Sequence, residues 1–210
     1  YIDNIYTFGK MILWYQICGL GVTAGLHRLW SHKSYKAKLP TKILLMILAS
    51  ASNQGSIYHW IRDHRVHHKY SDTDADPHNI NRGFFFSHMG WLLLKKSKKT
   101  IEAGKKIDLT DLEEDNIVML DKKLWPYDDM FFCYILPGIY TYIYYDSFMK
   151  GLFVFGFLRQ TIQLHATWCI NSISHTFGYR PFRNIPPTDN FFTSFLALGE
   201  GWHNWHHTYP

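Results

Sequence analysis

Histidine spacing is where this chain declares its chemistry. Residues 60–68, WIRDHRVHH, carry His64, His67 and His68. At about 100° per residue, positions i, i+3 and i+4 share one face of a helix. GWHNWHH near the far end repeats the pattern with His203, His206 and His207, and HRLWSH supplies His27 and His32. Neutral imidazole is a borderline ligand that suits iron, zinc or copper, and no paired cysteine set competes for the metal. A lone histidine is most often a solvated or hydrogen-bonded side chain, but two HxxHH triplets on one chain read as a metal centre. His27 and His32 are five apart. That is about 140° around an α-helix, which implies two metals or a helix that ends between them. Asn171 and His175, four apart, add one more imidazole on a helical face.

The elements that must position these groups are helices. At 210 residues the chain fits one domain, and its average composition, 47% hydrophobic with a mean hydropathy of −0.20, hides a strong segregation. Apolar residues concentrate in 11–26, 127–145 and 151–170, each near the ~20 residues a helix needs to cross a bilayer. The reading is of spans at about 10–27, 127–145 and 151–170, with 28–126 and 171–210 forming a helical cap. Gly19, Gly21 and Gly25 permit close helix packing in the first span. ILLMILASAS at 43–52 is too short to cross. If His32 and His64 share a cluster they lie on one side of the membrane, and the 31 residues between them cannot hold two crossings. This segment is therefore expected to be a buried or membrane-lying helix. DSFMK between the last two spans is a hairpin turn. Arg159 and His165, inside the third, are expected to face the protein interior.

Charge and cysteine usage narrow the class. Of the 22 lysines and arginines, 17 fall between Arg28 and Pro126, which places that loop on the cytoplasmic side. The net charge of +5 comes with no base-reading module, so nucleic acid is not the partner. Cys18, Cys133 and Cys169 sit in apolar stretches and have no pairing pattern, so they are expected to pack rather than to form disulfides. The alternating aspartates of SDTDADPHNIN resemble the start of a calcium loop, but the glycine and terminal glutamate of that motif are missing.

HRLWSH at 27–32, HRVHH at 64–68, NSISH at 171–175 and HNWHH at 203–207 together resemble the membrane-bound acyl-CoA desaturases of the stearoyl-CoA desaturase type. GVTAG at 21–25, DADPHN at 74–79, RGFFFSHMGWLL at 82–93 and GEG at 199–201 are similar as well, so the likeness covers nearly the whole chain. It implies an all-α integral membrane protein with four transmembrane helices under a cytosolic cap, within a single desaturase domain over 1–210. Because three spans are visible and the chain opens on Tyr1, a first helix and a tail beyond Pro210 are expected to be absent. The implied ligands of two ferrous ions are His27, His32, His64, His67, His68, His175, His203, His206 and His207, with Asn171 holding a water. His59, His78, His88 and His165 match no ligand position. The acyl tunnel is implied around Gln54, Trp60, Thr167 and Trp168, with its closed end near Tyr15 and Gly19. Coenzyme A contacts are implied at Arg62, Asp63, Lys95 and Lys96. The chain departs from the vertebrate pattern at Gly55, Ser56 and His59.

What the resemblance implies is insertion of a cis double bond into a saturated acyl-CoA of the stearoyl or palmitoyl class, at Δ9. O2 serves as co-substrate, with electrons from cytochrome b5 and its NADH-dependent reductase, in the endoplasmic reticulum membrane with the histidine boxes cytosolic. Other regioselectivity, such as Δ11, and a related lipid hydroxylase are the nearest alternatives. A soluble di-iron carboxylate site is disfavoured because Glu200 and His203 make only one Glu-x-x-His. A histidine-rich metal transporter would carry its ligands near the bilayer midplane, whereas these boxes lie beyond the span ends. A structural zinc site needs only four ligands.

Overall fold

The computed structural model describes Ile2 and residues 4–210; Tyr1, on which the expectation of an absent leading part rested, lies outside them. In chain order the helices are α1 (Ile5–Leu20), a π-helix (Gly21–Ser31), α2 (Leu39–Ser52), α3 (Ile57–Tyr70), α4 (Phe84–His88), α5 (Lys98–Lys105) and α6 (Thr110–Glu113). They continue with α7 (Asn116–Leu124), α8 (Tyr127–Met130), a π-turn (Phe131–Ile135), α9 (Leu136–Tyr145) and α10 (Phe148–Lys150). A π-segment (Gly151–Leu158), α11 (Arg159–Thr176), α12 (Phe191–Leu196) and α13 (His203–Thr208) complete the chain. Among the described residues there is no strand, only isolated bridges of Asp189 with Tyr179 and Trp202. The all-helical expectation therefore holds. The chain divides into two compact units, one of Tyr1–Trp60 and Thr110–Leu164, the other of Ile61–Leu109 and His165–Pro210.

In the first unit the helix ends follow local chemistry. Asn4 accepts from the Thr7 N–H and starts α1, Pro40 opens α2, and Asn53 ends α2 in the left-handed conformation that asparagine tolerates. At Gly21 a Cβ would stand 2.3 Å from the backbone of Leu48 and Ala49, so only glycine lets the π-helix lie this close to α2. Polar side chains are buried here and are paired. Arg159 is wholly buried, donating to the carbonyls of Phe155 and Ala51 and to Gln163 Oε1. A buried donor left unsatisfied costs about 1–3 kcal/mol, so these bonds hold α11 against the end of α2. Large apolar side chains of the same unit point outward: Leu13 is 56% exposed and Ile143 67%.

The three expected spans are helical but mixed in type, since α1, α9 and α11 each adjoin a π-segment. No helix among the described residues is long and apolar enough to cross a membrane. Residues 43–52 lie within α2, as the expected helix. Cys18 and Cys133 are buried and unbridged, in keeping with packing. Arg159 faces inward as expected; His165 does not, being exposed and paired with His88 at 3.0 Å.

The second unit is built around the ends of α3 and α11 and the short α13. Asp189 Oδ1 accepts from the Asn204 and Trp205 N–H groups at the start of α13. Asn204, buried between His203 and His206 in sequence, donates to the carbonyls of Phe182, Ile185 and Pro187. The proline-containing connection is thereby pinned to the helix that carries the last histidines.

Candidate metal centre

In the first unit His27 and His32 have ring centroids 4.7 Å apart. In an α-helix residues five apart diverge by about 140°. Here the helix is π, with the His32 N–H donating to the His27 carbonyl at 3.1 Å. An i→i−5 register stacks residues five apart, so neither a helix end between them nor separate metals is needed to bring the pair together.

In the second unit two histidine groups form. His67 of α3, His175 of α11, and His203 and His207 of α13 offer ring nitrogens that all lie within 4.8 Å of one another. His203 and His207 present their Nε2 atoms 3.2 Å apart. His64, His68 and His206 make a second group, with the Nε2 atoms of His68 and His206 3.0 Å apart. The HxxHH spacing on α3 thus divides its imidazoles, His67 to one group and His64 with His68 to the other. Asn171 stands one turn before His175 on α11, and its carbonyl accepts from Ser87 Oγ at 2.5 Å.

The four-histidine group fits a metal ion. The Nε2 atoms of His67 and His175 are buried with no hydrogen-bond partner, although both rings are almost inaccessible. Each ring is held from its other side. His67 Nδ1 faces both carboxylate oxygens of Asp76 at 3.1 and 3.0 Å, and His175 Nδ1 faces Asp72 Oδ1 at 2.9 Å. A carboxylate oxygen here accepts, so Nδ1 carries the proton and Nε2 presents its lone pair. Burial, reinforced by neighbouring imidazoles, pushes His203 and His207 well below the usual histidine range. Burial also lowers His175, against the opposing pull of Asp72. A neutral imidazole is the form that binds metal.

Asp72, Asp76 and His78 were not among the residues singled out for the site. The signal was the alternation of aspartates, which in sequence resembles only the incomplete start of a calcium loop. In the structure Asp74 is exposed and pairs with Lys99, while its two neighbours turn to histidines. Burial would raise the Asp76 carboxyl, but His67, His78 and the main-chain N–H groups outweigh it and hold it well below the usual range. Burial pushes His78 down to about 3.

The expected substrate residues are placed as follows. In the first unit Gly19 is buried and Tyr15 half-buried on α1, and Trp60 Nε1 donates to Gln54 Oε1 at 3.3 Å. At the point where the chain departs from the vertebrate pattern, Ser56 Oγ and His59 Nδ1 are 3.0 Å apart. In the second unit Arg62 pairs with Asp63 at 3.1 Å and Lys96 pairs with the other oxygen of Asp63, while Lys95 is exposed. Thr167 and Trp168 are half-buried on α11.

Buried imidazoles gathered from three helices, with lone pairs converging and carboxylates behind them, are the donor set of a histidine-rich metal protein. The family model described as fatty acid desaturase matches residues 8–210, and the chain belongs to that family. It is 47% identical over 209 residues to an acyl-CoA desaturase of Ovis aries and 46% identical over 209 residues to a stearoyl-CoA desaturase of Homo sapiens. It is 48% identical over 205 residues to stearoyl-CoA desaturase 5 of Bos taurus. These alignments take in 95–99% of this chain and 58–61% of the relatives, so the chain spans less than two thirds of their length.

Proposed function

We propose that the protein is an acyl-CoA desaturase that places a cis double bond, at Δ9, in a saturated acyl chain of the stearoyl or palmitoyl class. The observation that carries this reading is the buried four-histidine group with two unpartnered Nε2 atoms, in a chain of the fatty acid desaturase family. His67, His175, His203 and His207 hold one ferrous ion, with Asn171 holding a water beside the centre. By the family resemblance alone, the remaining histidines, His27, His32, His64, His68 and His206, would hold the other. Iron with dioxygen supplies an oxidant that no side chain can, since the methylenes to be oxidised are unactivated.

The chain's own part is to select, hold and keep dry. By the family resemblance, Gln54, Trp60, Thr167 and Trp168 would line the bend that fixes which C–C bond reacts and its cis geometry. Tyr15 and Gly19 close the far end. Arg62, Lys95 and Lys96 meet the coenzyme A phosphates, with Asp63 positioning Arg62 and Lys96. The reaction removes two electrons from the acyl chain, while reducing O2 to water takes four. Cytochrome b5, fed by its NADH-dependent reductase, supplies the remaining two, and the basic face between Arg28 and Pro126 suits an acidic carrier.

We place the protein in the endoplasmic reticulum membrane with its histidines cytosolic. The family supports a membrane location, and so do the large apolar side chains that the first unit exposes, Leu13 and Ile143 among them. Expression of the full-length protein in yeast lacking its own desaturase tests the reading. Recovery of growth with a double bond at carbon 9 is expected. Hydroxylated products, or no change in fatty acids, would overturn it.

A further inference from the structure

We propose that the loop following α3 is a positioning device for the metal centre, in which Asp76 and Asp72 orient His67 and His175 so that both Nε2 atoms converge on one ion. This rests on the reading that the four-histidine group binds metal. The two histidines come from different helices, α3 and α11, and their ring centroids are 5.1 Å apart. One short loop reaches both. Asp76, whose side chain is wholly buried, takes His67 Nδ1–H between its two oxygens and also accepts the main-chain N–H groups of Asp72 at 2.9 Å and His78 at 3.1 Å. The first of these main-chain bonds ties the two aspartates together. Asp72 adopts the left-handed conformation, φ 58°, which aspartate and asparagine accept more readily than most residues. Its carbonyl is held by Asn81 Nδ2 at 2.7 Å and its carboxylate meets His175. Carboxylates behind metal-binding imidazoles fix the ring's tautomer and direction and raise its basicity.

A competing assignment is that His67, Asp76 and His78, whose ligand atoms also lie within 4.8 Å of one another, form a third metal site. It requires the lone pair of His67 Nδ1, which would move that ring's proton to Nε2 and point it into the four-histidine group. It also requires Asp76 to surrender donors it already holds. The positioning role leaves every one of these bonds in place.

Asp72 is the cleaner residue to change, because Asp76 also holds the loop backbone. The test measures cobalt(II) affinity of the full-length protein by chelator competition, together with the cobalt ligand-field spectrum and the melting temperature of the metal-free protein. For Asp72→Ala the expectation is 10–100-fold weaker binding at one of the two ions, with altered ligand-field bands and only the small fall in metal-free melting temperature that alanine at φ 58° imposes, a fall that Asp72→Asn does not show. Asp76→Asn is expected to weaken the same ion. Unchanged affinity and bands in Asp72→Ala, with cobalt bound normally by the wild type, would overturn the positioning role and leave the metal reading intact. Loss of affinity matched by an equal loss of metal-free stability would assign Asp72 a purely structural role and overturn it equally. If the wild type binds no cobalt and His67→Ala changes nothing, the metal reading itself fails.

Discussion

Asp115 ties three elements of the first unit with one carboxylate, and its removal has a calculable effect. Oδ1 caps α7 by accepting the Ile117 N–H at 3.0 Å. Oδ2 accepts from Lys42 Nζ of α2 at 2.7 Å and from Trp30 Nε1 of the π-helix at 3.2 Å. In Asp115→Ala the lost cap costs about 1 kcal/mol. The Lys42 pair, with Lys42 30% exposed, contributes about 0.5 kcal/mol after screening. Loss of a charged acceptor for the Trp30 indole adds about 1.5 kcal/mol. The total is about 3 kcal/mol, which for a chain of this size lowers the melting temperature by about 6–12 °C. Calorimetry of the purified protein in detergent reads it directly. Asp115→Asn keeps the cap but turns an amide toward two donors, so it should recover only about a third of the loss. The pH dependence has a definite sign. Burial raises the Asp115 carboxyl, but Lys42, the Ile117 N–H and Trp30 hold it below the usual range. A folded pKa below the unfolded value means stability present above about pH 4 and lost as pH falls through the folded value. The difference between wild type and variant should therefore shrink in acid. A fall of under about 2 °C in Asp115→Ala, or full recovery in Asp115→Asn, would refute the claim that this carboxylate joins the π-helix to α2 and α7.

Other outcomes follow from the proposed function and from the buried carboxylates. His68→Ala should abolish desaturation and lower bound iron while leaving membrane insertion intact; full iron content in an inactive variant would remove His68 from the ligand set. Gly19→Ile should shift products toward shorter acyl chains, since each methylene that loses its place forfeits about 0.8 kcal/mol, several-fold in selectivity. Lower activity with an unchanged chain-length ratio would show that this face of α1 does not end the tunnel. Burial pushes Asp121 up to about 7, against the Ile57 N–H that it accepts at 2.7 Å and with Asp128 adding to the rise. The folded state therefore holds this proton more tightly than the unfolded one, and stability from this group declines as pH rises from about 4 toward 7. Asp121→Asn should flatten that part of the stability curve in denaturation measured across pH, and an unchanged slope would assign it elsewhere.

Much of this protein is legible one helix at a time. The HxxHH spacings, the all-helical class and the close-packing glycine at 21 follow from periodicity and side-chain chemistry that act over one or two turns. Four ordered histidine boxes were enough to indicate the family. Tertiary structure decided what those rules leave open. Composition alone does not settle whether a helix closes its hydrogen bonds at i−4 or i−5, yet that register is what brings His27 and His32 together. Nor does spacing along α3 show that His67 would leave its neighbours for another group, because that division depends on where α11 and α13 arrive. The carboxylates behind the histidines are the clearest case. Asp76 lies 9 residues from His67, and Asp72 lies 103 residues from His175. Three alternating aspartates look alike in sequence; only the packed loop turns two of them inward and leaves Asp74 in solvent. A local pattern records which faces a helix has, whereas which groups from distant segments share a buried volume is set by how those faces pack.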